Sequence, residues 1–497
     1  MKYLVTGKEM KLLDQNTSSH YKVPELVLME QAAMCFVREL CHLLSEPKTK
    51  KGIVFCGLGN NGADGIAIAR LLNERGISTQ ICKIKDFLKE KNAVSESFQV
   101  QESIYHAYNY PVLYNFEELE QEQYDFVIDA VFGIGLSRNV DETYAALFQR
   151  INHIHALKIA VDMPSGVHSD NGQIMGTAIK SDYTITFSFG KMGQFLWPGS
   201  EYAGRTIIAK MGITQKSWLD KKPSCACLEE CDLENLPKRK AHSNKGTYGK
   251  LLIAAGSKDM AGAAVFAAKA AYRSGVGLVK VFTSEDNRSI IQTTVPESIV
   301  VTYGNTLNED VLAEHLKWAD AVVAGPGLGQ SAIAKEIVSF IHKTANVPVV
   351  WDADALNIFA QDAGQLLLPH AEYILTPHLG EFSRLTAHTI EWIQAHLIES
   401  AKDFAGTYDV ICVLKDFHTI TAAPFGLSYL NLSGNHGMAT GGSGDVLAGI
   451  IGALLAQGMS GADAAAYGVF LHGLAGDKAR ERRSAHAMMA SDIIDAL

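Results

Sequence analysis

No run of eighteen apolar residues occurs anywhere in the 497-residue chain, so no membrane-spanning helix is expected. The opening stretch, MKYLVTGKEM, meets charge too early for a secretory leader. Basic residues are in deficit. Lys and Arg number 44 against 54 Asp and Glu, a formal charge of -10 with His neutral. That balance argues against general binding of nucleic acid or of an anionic membrane surface. A zinc-type cysteine spacing is missing too. The cysteines are scattered, and the one cluster, Cys225, Cys227 and Cys231, has too few thiols at the wrong spacing for a zinc knuckle. A cytoplasmic chain with reduced cysteines is expected. No internal repeat links the two halves beyond an α/β pattern in each.

What is present is a globular composition, 47% hydrophobic and 20% charged, on a chain too long for one ordinary core. The most informative stretch is Gly434 to Ile450, GNHGMATGGSGDVLAGI. Its first eight residues have no apolar period and read as loop. From Gly442 on, Val446, Leu447, Ile450, Ile451 and Leu454 recur at helical spacing, so a helix starts near Gly442 to Gly444. A glycine-rich loop entering a helix presents unobstructed N–H groups, a site for phosphate or developing negative charge. Asp445 falls in the first turn, where the helix dipole favours a carboxylate. The competing reading is a tight turn with a capping aspartate, but the loop is too long for that.

From the start, residues 1 to 50 read as helical, an arm expected to pack on a domain or a partner. Strand IVFC runs into GLGNNGADG (57 to 65) and then a helix. This β-loop-α unit resembles a Rossmann fingerprint but is set apart from it by two asparagines and an aspartate. Asn side chains suit a cation or an amide partner, and Asp64 a ribose hydroxyl. Strand YDFVIDA ends near Asp129 before a loop with Gly133 and Gly135. Strand ALKIAV leads to Asp162, Pro164, Ser165 and Gly166. Acids at the C-terminal ends of parallel strands face the crevice where α/β ligands bind, so these loops read as one site. Residues 215 to 245 lose periodicity, giving domains 1–219 and 242–497 with a linker at 220–241.

The second half repeats the α/β pattern with different loops. Strands KLLIA, LVKVF and AVVA are followed by VPVVWDADALNIF, which reaches Asp352 and Asp354. These two either hold a magnesium-like ion or cap the next helix. YILTPHLGE places His378 in a loop on the ligand side, as a substrate contact or as a satisfied buried histidine. YDVICVLKDFHTITAA reads as two strands joined by Lys415 to His418, with Lys415 either a phosphate contact or a lysine extending to solvent.

GLGNNGADG, FVIDAVFGIG and AVDMPSG resemble the YjeF-type NAD(P)H-hydrate epimerase domain. GSKDMAGAA, GPGLG, DADALN, TPHLGE and the 434–450 stretch resemble the ADP-dependent NAD(P)H-hydrate dehydratase, a ribokinase-like fold. The order of both sets is similar to that of the bifunctional nicotinamide nucleotide repair enzymes. The resemblance implies an N-terminal Rossmann-like three-layer sandwich and a C-terminal ribokinase-like domain. It implies epimerisation of R and S hydrates of NADH and NADPH, and dehydration of the S form with ADP to coenzyme, AMP and phosphate. It places potassium on Asn61, Asp129 and Ser165, with magnesium accompanying ADP. Substrate contacts fall on Asn60, Asn61, Gly62, Ala63 and Asp64, on Gly133, Ile134, Gly135, Leu136, Ser137, Arg138 and Asn139, and on Ala263, Gly327 and His378. Nucleotide contacts fall on Lys415, Asp416, Phe417, His418, Thr419 and Gly444. Asp162 and Asp445 are the catalytic acids, and a homo-oligomer is expected. Ala63 stands where the family carries glycine, Gln31 and Ala33 stand where it has asparagine and glycine, and Asp416 puts negative charge beside the nucleotide. Two other functions fit parts of the chain: a ribokinase-like kinase of a small alcohol, and a non-catalytic dinucleotide-binding scaffold.

Overall fold

The computed structural model describes residues 1–84, 94–114, 119, 122–367 and 371–497. The chain divides into two compact units, one of Tyr3–Ser224 and one of Cys225–Leu497 with Met1–Lys2.

The first unit is a wholly parallel seven-stranded sheet. Its strands are β2 (Lys51–Cys56), β3 (Ser78–Lys83), β4 (Val112–Leu113), β5 (Phe126–Ala130), β6 (Leu157–Val161), β7 (Tyr183–Phe187) and β9 (Arg205–Ala209), in the order β4-β3-β2-β5-β6-β7-β9. Both faces are covered, which is why IVFC is apolar throughout rather than alternating. Val54 and Cys56 pack with the helices Glu25–Leu43 and Asn60–Glu74. Ile53 and Phe55 pack with Glu142–His153. The order reverses between β2 and β5, so the loops after these strands open at a switch point, the usual ligand crevice.

The N-terminal arm departs from the all-helical expectation. β1 (Lys2–Val5) is a strand whose Leu4 and Val5 pair in parallel with Gly190 and Lys191 of β8 (Gly190–Lys191). Two helices follow, Gly7–Ser19 with a Thr6–Glu9 capping box and Glu25–Leu43 after Pro24. The arm packs on its own unit: Met29, Phe36, Val37 and Leu40 join the core of the sheet.

The second unit carries β11 (Lys250–Ala254), β12 (Leu278–Ser284), β13 (Ile299–Tyr303), β14 (Ala321–Ala324), β15 (Val349–Trp351), β16 (Tyr373–Leu375) and β17 (Ile411–Leu414), all parallel. β18 (Ile420–Ala422) and β19 (Ser428–Leu430) continue the sheet antiparallel. The expected linker is partly ordered. Cys225–Cys227 forms β10, parallel to β19, and Asn235 donates to the Tyr467 hydroxyl at 3.0 Å. Three residues are too few to show a period, so the sequence hides this strand. The first compact unit extends to Ser224.

The helix expected near Gly442 to Gly444 runs Ser443–Ala456 and is buried along nearly its whole length. It packs against helix Ala261–Arg273, whose alanines permit the close approach, and against β14. A helix apolar on every side belongs inside a core. Among the described residues, no helix is long and apolar enough to cross a membrane.

Candidate functional site

In the first unit, the loops after β2 and β5 and the helix Gly7–Ser19 surround a cavity of about 1050 Å³. Asn60, Asn61, Asp64, Asp162 and Gly133 to Asn139 line it. Gly62 and Ala63 do not. They are buried, and a Cβ at Gly62 would meet the Gly57 carbonyl oxygen at 1.9 Å. The glycines at 57, 59 and 62 have the G-x-G-x-x-G spacing, and here that spacing serves close packing of loop on helix. Ala63 sits in ordinary helical conformation with no positive φ, so its methyl is accommodated.

Asp162 is held from three sides. Its Oδ1 accepts from Lys191 Nζ at 2.5 Å and from Thr186 Oγ1 at 2.9 Å, and Gln194 Nε2 donates to its carbonyl at 2.5 Å. Its φ of 64° is left-handed, strain that a site-forming residue stores. Lys191 is 1% exposed and also donates to Thr186 Oγ1 and the Phe187 carbonyl. Sequence reading missed Lys191, because nothing in GKMGQ marks a lysine that a β1–β8 pairing turns inward.

Asp129 and Ser165 are buried and do not line the cavity. Ser165 donates twice to the Asp129 carboxylate, by Oγ at 2.5 Å and by N at 2.7 Å. Burial pushes Asp129 up to about 6 against those two bonds. The Asn61 amide nitrogen is buried with no partner. Burial, with Asp162 and Asp14 adding and Lys191 opposing, raises Asp64 well above the carboxylate range.

In the second unit, the ends of β14 to β17 and the start of helix Ser443–Ala456 bring a second group together. Lys415 Nζ donates to Asp352 Oδ1 at 3.0 Å, and Thr376 Oγ1 donates to the same oxygen at 2.7 Å. Asp352 Oδ1 is thus engaged by Lys415 and Thr376, and the next helix takes no side-chain cap. Asp354, first residue of the next helix, accepts from Gly329 N at 2.8 Å. A Cβ at Gly444 would stand 3.4 Å from Lys415 Nζ and 3.8 Å from Asp352 Oδ2, so the anion loop and the ion pair face each other. Burial opposes the Lys415 charge, but Asp352, Glu381 and Asp445 outweigh it and raise its pKa. Burial pushes Asp445 up to about 7, with Asp352 and Asp354 adding and Lys415 opposing. Ser443 meets buried His472 at 3.2 Å.

Gly327 and Ala263 lie together, a Cβ at the former meeting the Ala263 Cβ at 2.8 Å. His378 is not free: its Nδ1 accepts from Gly380 N and Glu381 N, and Glu381 answers by accepting from His378 N. This is a capping box, so the lone pair a base would need is taken. The pattern His378-x-x-Glu381 carried that signal in the sequence. Of the nucleotide segment, Phe417 is exposed and His418 half-buried. Burial raises Asp416, with hydrogen bonds from Phe417 and Gln394 opposing.

Comparisons with known proteins follow the same division. Residues 25–193 match the family described as YjeF-related protein N-terminus, and residues 251–497 match NAD(P)H-hydrate dehydratase. The chain is 36% identical over 511 aligned residues to the bifunctional NAD(P)H-hydrate repair enzyme Nnr of Moorella thermoacetica, covering 100% of this chain and 96% of that one. Among solved structures, a hypothetical protein of Streptococcus mutans covers 55% of this chain and 97% of its own, at 28% identity and TM-score 0.50. A ribokinase-like superfamily protein of Enterococcus faecalis covers 55% and 94%, at 29% identity and TM-score 0.49. The fold is thus a Rossmann-like N-terminal unit followed by a ribokinase-like one.

Proposed function

This chain belongs to the family of bifunctional NAD(P)H-hydrate repair enzymes, and from that premise we propose that it interconverts the R and S hydrates of NADH and NADPH and dehydrates the S form with ADP. The observation that carries this reading is the pair of separate polar sites at parallel strand ends, each centred on one aspartate, Asp162 and Asp445, with different surroundings.

In the dehydratase half, the difficulty is that hydroxyl is a poor leaving group. Asp445 takes the proton of the C6 hydroxyl as the phosphoryl group of ADP arrives. The N–H groups opening helix Ser443–Ala456 and the Lys415 ammonium spread the negative charge of that transfer. The ring nitrogen lone pair then expels phosphate, and loss of a C5 proton from the resulting C6=N cation gives the coenzyme, with AMP left from the donor. With Asp445 near 7, the dehydration rate rises with pH through neutrality, since the base acts only when ionised. A pH profile of kcat flat from 6 to 8 opposes this role.

The donor set at Asn61, Asp129 and Ser165 fits potassium. All three offer oxygen, which suits a hard cation, and turning the Asn61 amide exchanges its unpartnered buried nitrogen for a buried oxygen. Bound there, the cation would supply fixed positive charge toward the substrate's diphosphate. A thallium-soaked crystal is expected to show an anomalous peak beside these residues, and none at full substrate occupancy removes the assignment. Among the described residues no cluster of three acidic, His or Cys side chains is placed for a metal. Magnesium therefore fits as a partner of the ADP phosphates, where it offsets their charge, rather than as the occupant of a protein cage.

The two activities are expected to separate. A fragment ending at Ser224, the edge of the first unit, equilibrates R and S hydrates unaided. A folded fragment without epimerisation, beside an active full chain, contradicts the assignment of that half. A small-alcohol kinase would instead leave a phosphorylated alcohol, which product analysis distinguishes from AMP and phosphate.

A further inference from the structure

Epimerising C6 by loss and re-addition of water takes two proton transfers on opposite faces of the ring. An acid protonates the C6 oxygen, the ring nitrogen lone pair expels it as water, and a C6=N cation remains. Water then adds to the other face, and a base takes its proton. The C6–O bond breaks and re-forms, one proton is given and one taken, and solvent re-equilibrates the two carboxyls. No co-reactant beyond water is needed. One carboxylate serves one face only.

Asp162 is committed as an acceptor, because its Oδ1 holds Lys191 Nζ and Thr186 Oγ1. It suits the base. The remaining requirement is a carboxyl on another element, facing the same cavity and able to hold a proton. The helix Gly7–Ser19 supplies a wall of this cavity with Met10, Lys11, Asp14, Gln15 and Ser18. These positions share one face of a helix. The family match begins only at residue 25, so this helix lies outside it.

We propose that Asp14 is the second proton-transfer group of the epimerase site, acting on the ring face opposite Asp162. This rests on the epimerase reading above. The surroundings of Asp14 favour a carboxyl that carries a proton near neutrality. Burial pushes it up to about 6, Lys191 of β8 opposing, and Asp162 after β6 and Glu25 of helix Glu25–Leu43 adding. Asp64 of helix Asn60–Glu74 faces it as well, and Lys11 and Arg138 line the same cavity. Among the described residues the half-buried Asp14 carboxyl is given no hydrogen-bond partner, unlike those of Asp162 and Asp129, so its proton is not tied to the scaffold. Asp64 meets the same electrostatic description but stands beside the substrate-binding asparagines, which leaves Asp14 as the group with no other task.

The test is the pH dependence of epimerisation in the full-length chain, followed from purified R hydrate without ADP. In the unaltered protein kcat is expected to fall as pH rises past about 6, as the acid loses its proton. Asp14→Asn is expected to lower kcat about 10²-fold, to abolish that descending limb, and to change KM little. A purely structural role would move thermal stability and KM and leave the limb in place. Full activity with an unchanged limb in Asp14→Asn overturns the proposal while leaving the epimerase reading intact. Absence of epimerisation in the unaltered chain overturns the reading itself. Should Asp14→Asn not fold, Asp14→Glu carries the test, because its carboxyl lies one methylene further. A displaced limb supports the proposal and an unmoved one contradicts it.

Discussion

Asp445→Asn is expected to lower dehydration about 10²-fold or more, because the C6 hydroxyl then has no proton acceptor as the phosphoryl arrives. ADP affinity should stay within a few-fold. The N–H groups at the start of helix Ser443–Ala456 are untouched by the change, and Lys415 keeps its bond to Asp352. Calorimetry gives the affinity, and absorbance of the restored dihydronicotinamide gives turnover. Removing the acid also removes the group that titrates near 7, so the residual activity should lose its rise through neutral pH. Near-normal turnover would make Asp445 a helix-start residue only. His378 is then a poor replacement, since both Gly380 N and Glu381 N already bond to its Nδ1. Glu381, pushed up to about 7 chiefly by burial, is the better candidate.

The second large effect is expected at Asp162. Asp162→Asn should lower epimerisation about 10²-fold or more and leave dehydration of purified S hydrate in place. It should also destabilise the first unit. Lys191 is almost wholly enclosed, and the amide of Asp162→Asn keeps an oxygen acceptor for its ammonium but removes the negative charge that balances it. Breaking one side of such a pair costs about 3–5 kcal/mol. The double change Asp162→Asn with Lys191→Met takes away the stranded charge and is expected to regain thermal stability without regaining epimerisation. Recovery of both would show that Asp162 matters to folding and not to the chemistry.

The strand ends were legible because parallel strands buried on both faces leave continuous apolar runs, IVFC and FVIDA among them, and because each run stops at a polar loop. The helix behind the anion loop was legible for a related reason: its apolar residues continue past one face, as a core helix requires. Short elements were not. Lys2–Val5 and Cys225–Cys227 are too brief to carry a period, and what makes them strands is a partner far along the chain. The catalytic candidates were found where they follow a strand or open a helix. The ion pairs beside them were not. Lys191 reaches Asp162 across 29 positions, and Asp352, legible only as an ion ligand or a cap, pairs with Lys415 across 63, and no local spacing announces such pairs. Asp14 sits beside Leu13 in a stripe of Met10, Leu13 and Thr17 that packs inward. From sequence alone it is one more polar residue on an amphipathic helix.

Both units are expected to act on one molecule in succession, and the direct test gives the intact chain a mixture of R and S hydrates of NADPH with ADP and magnesium and follows the absorbance of the restored coenzyme. The whole mixture should be recovered as NADPH with equimolar AMP and phosphate, while the Asp162→Asn chain stops when the S portion is spent. Recovery of only the S portion by the intact chain, or a phosphorylated product with no NADPH, would contradict it.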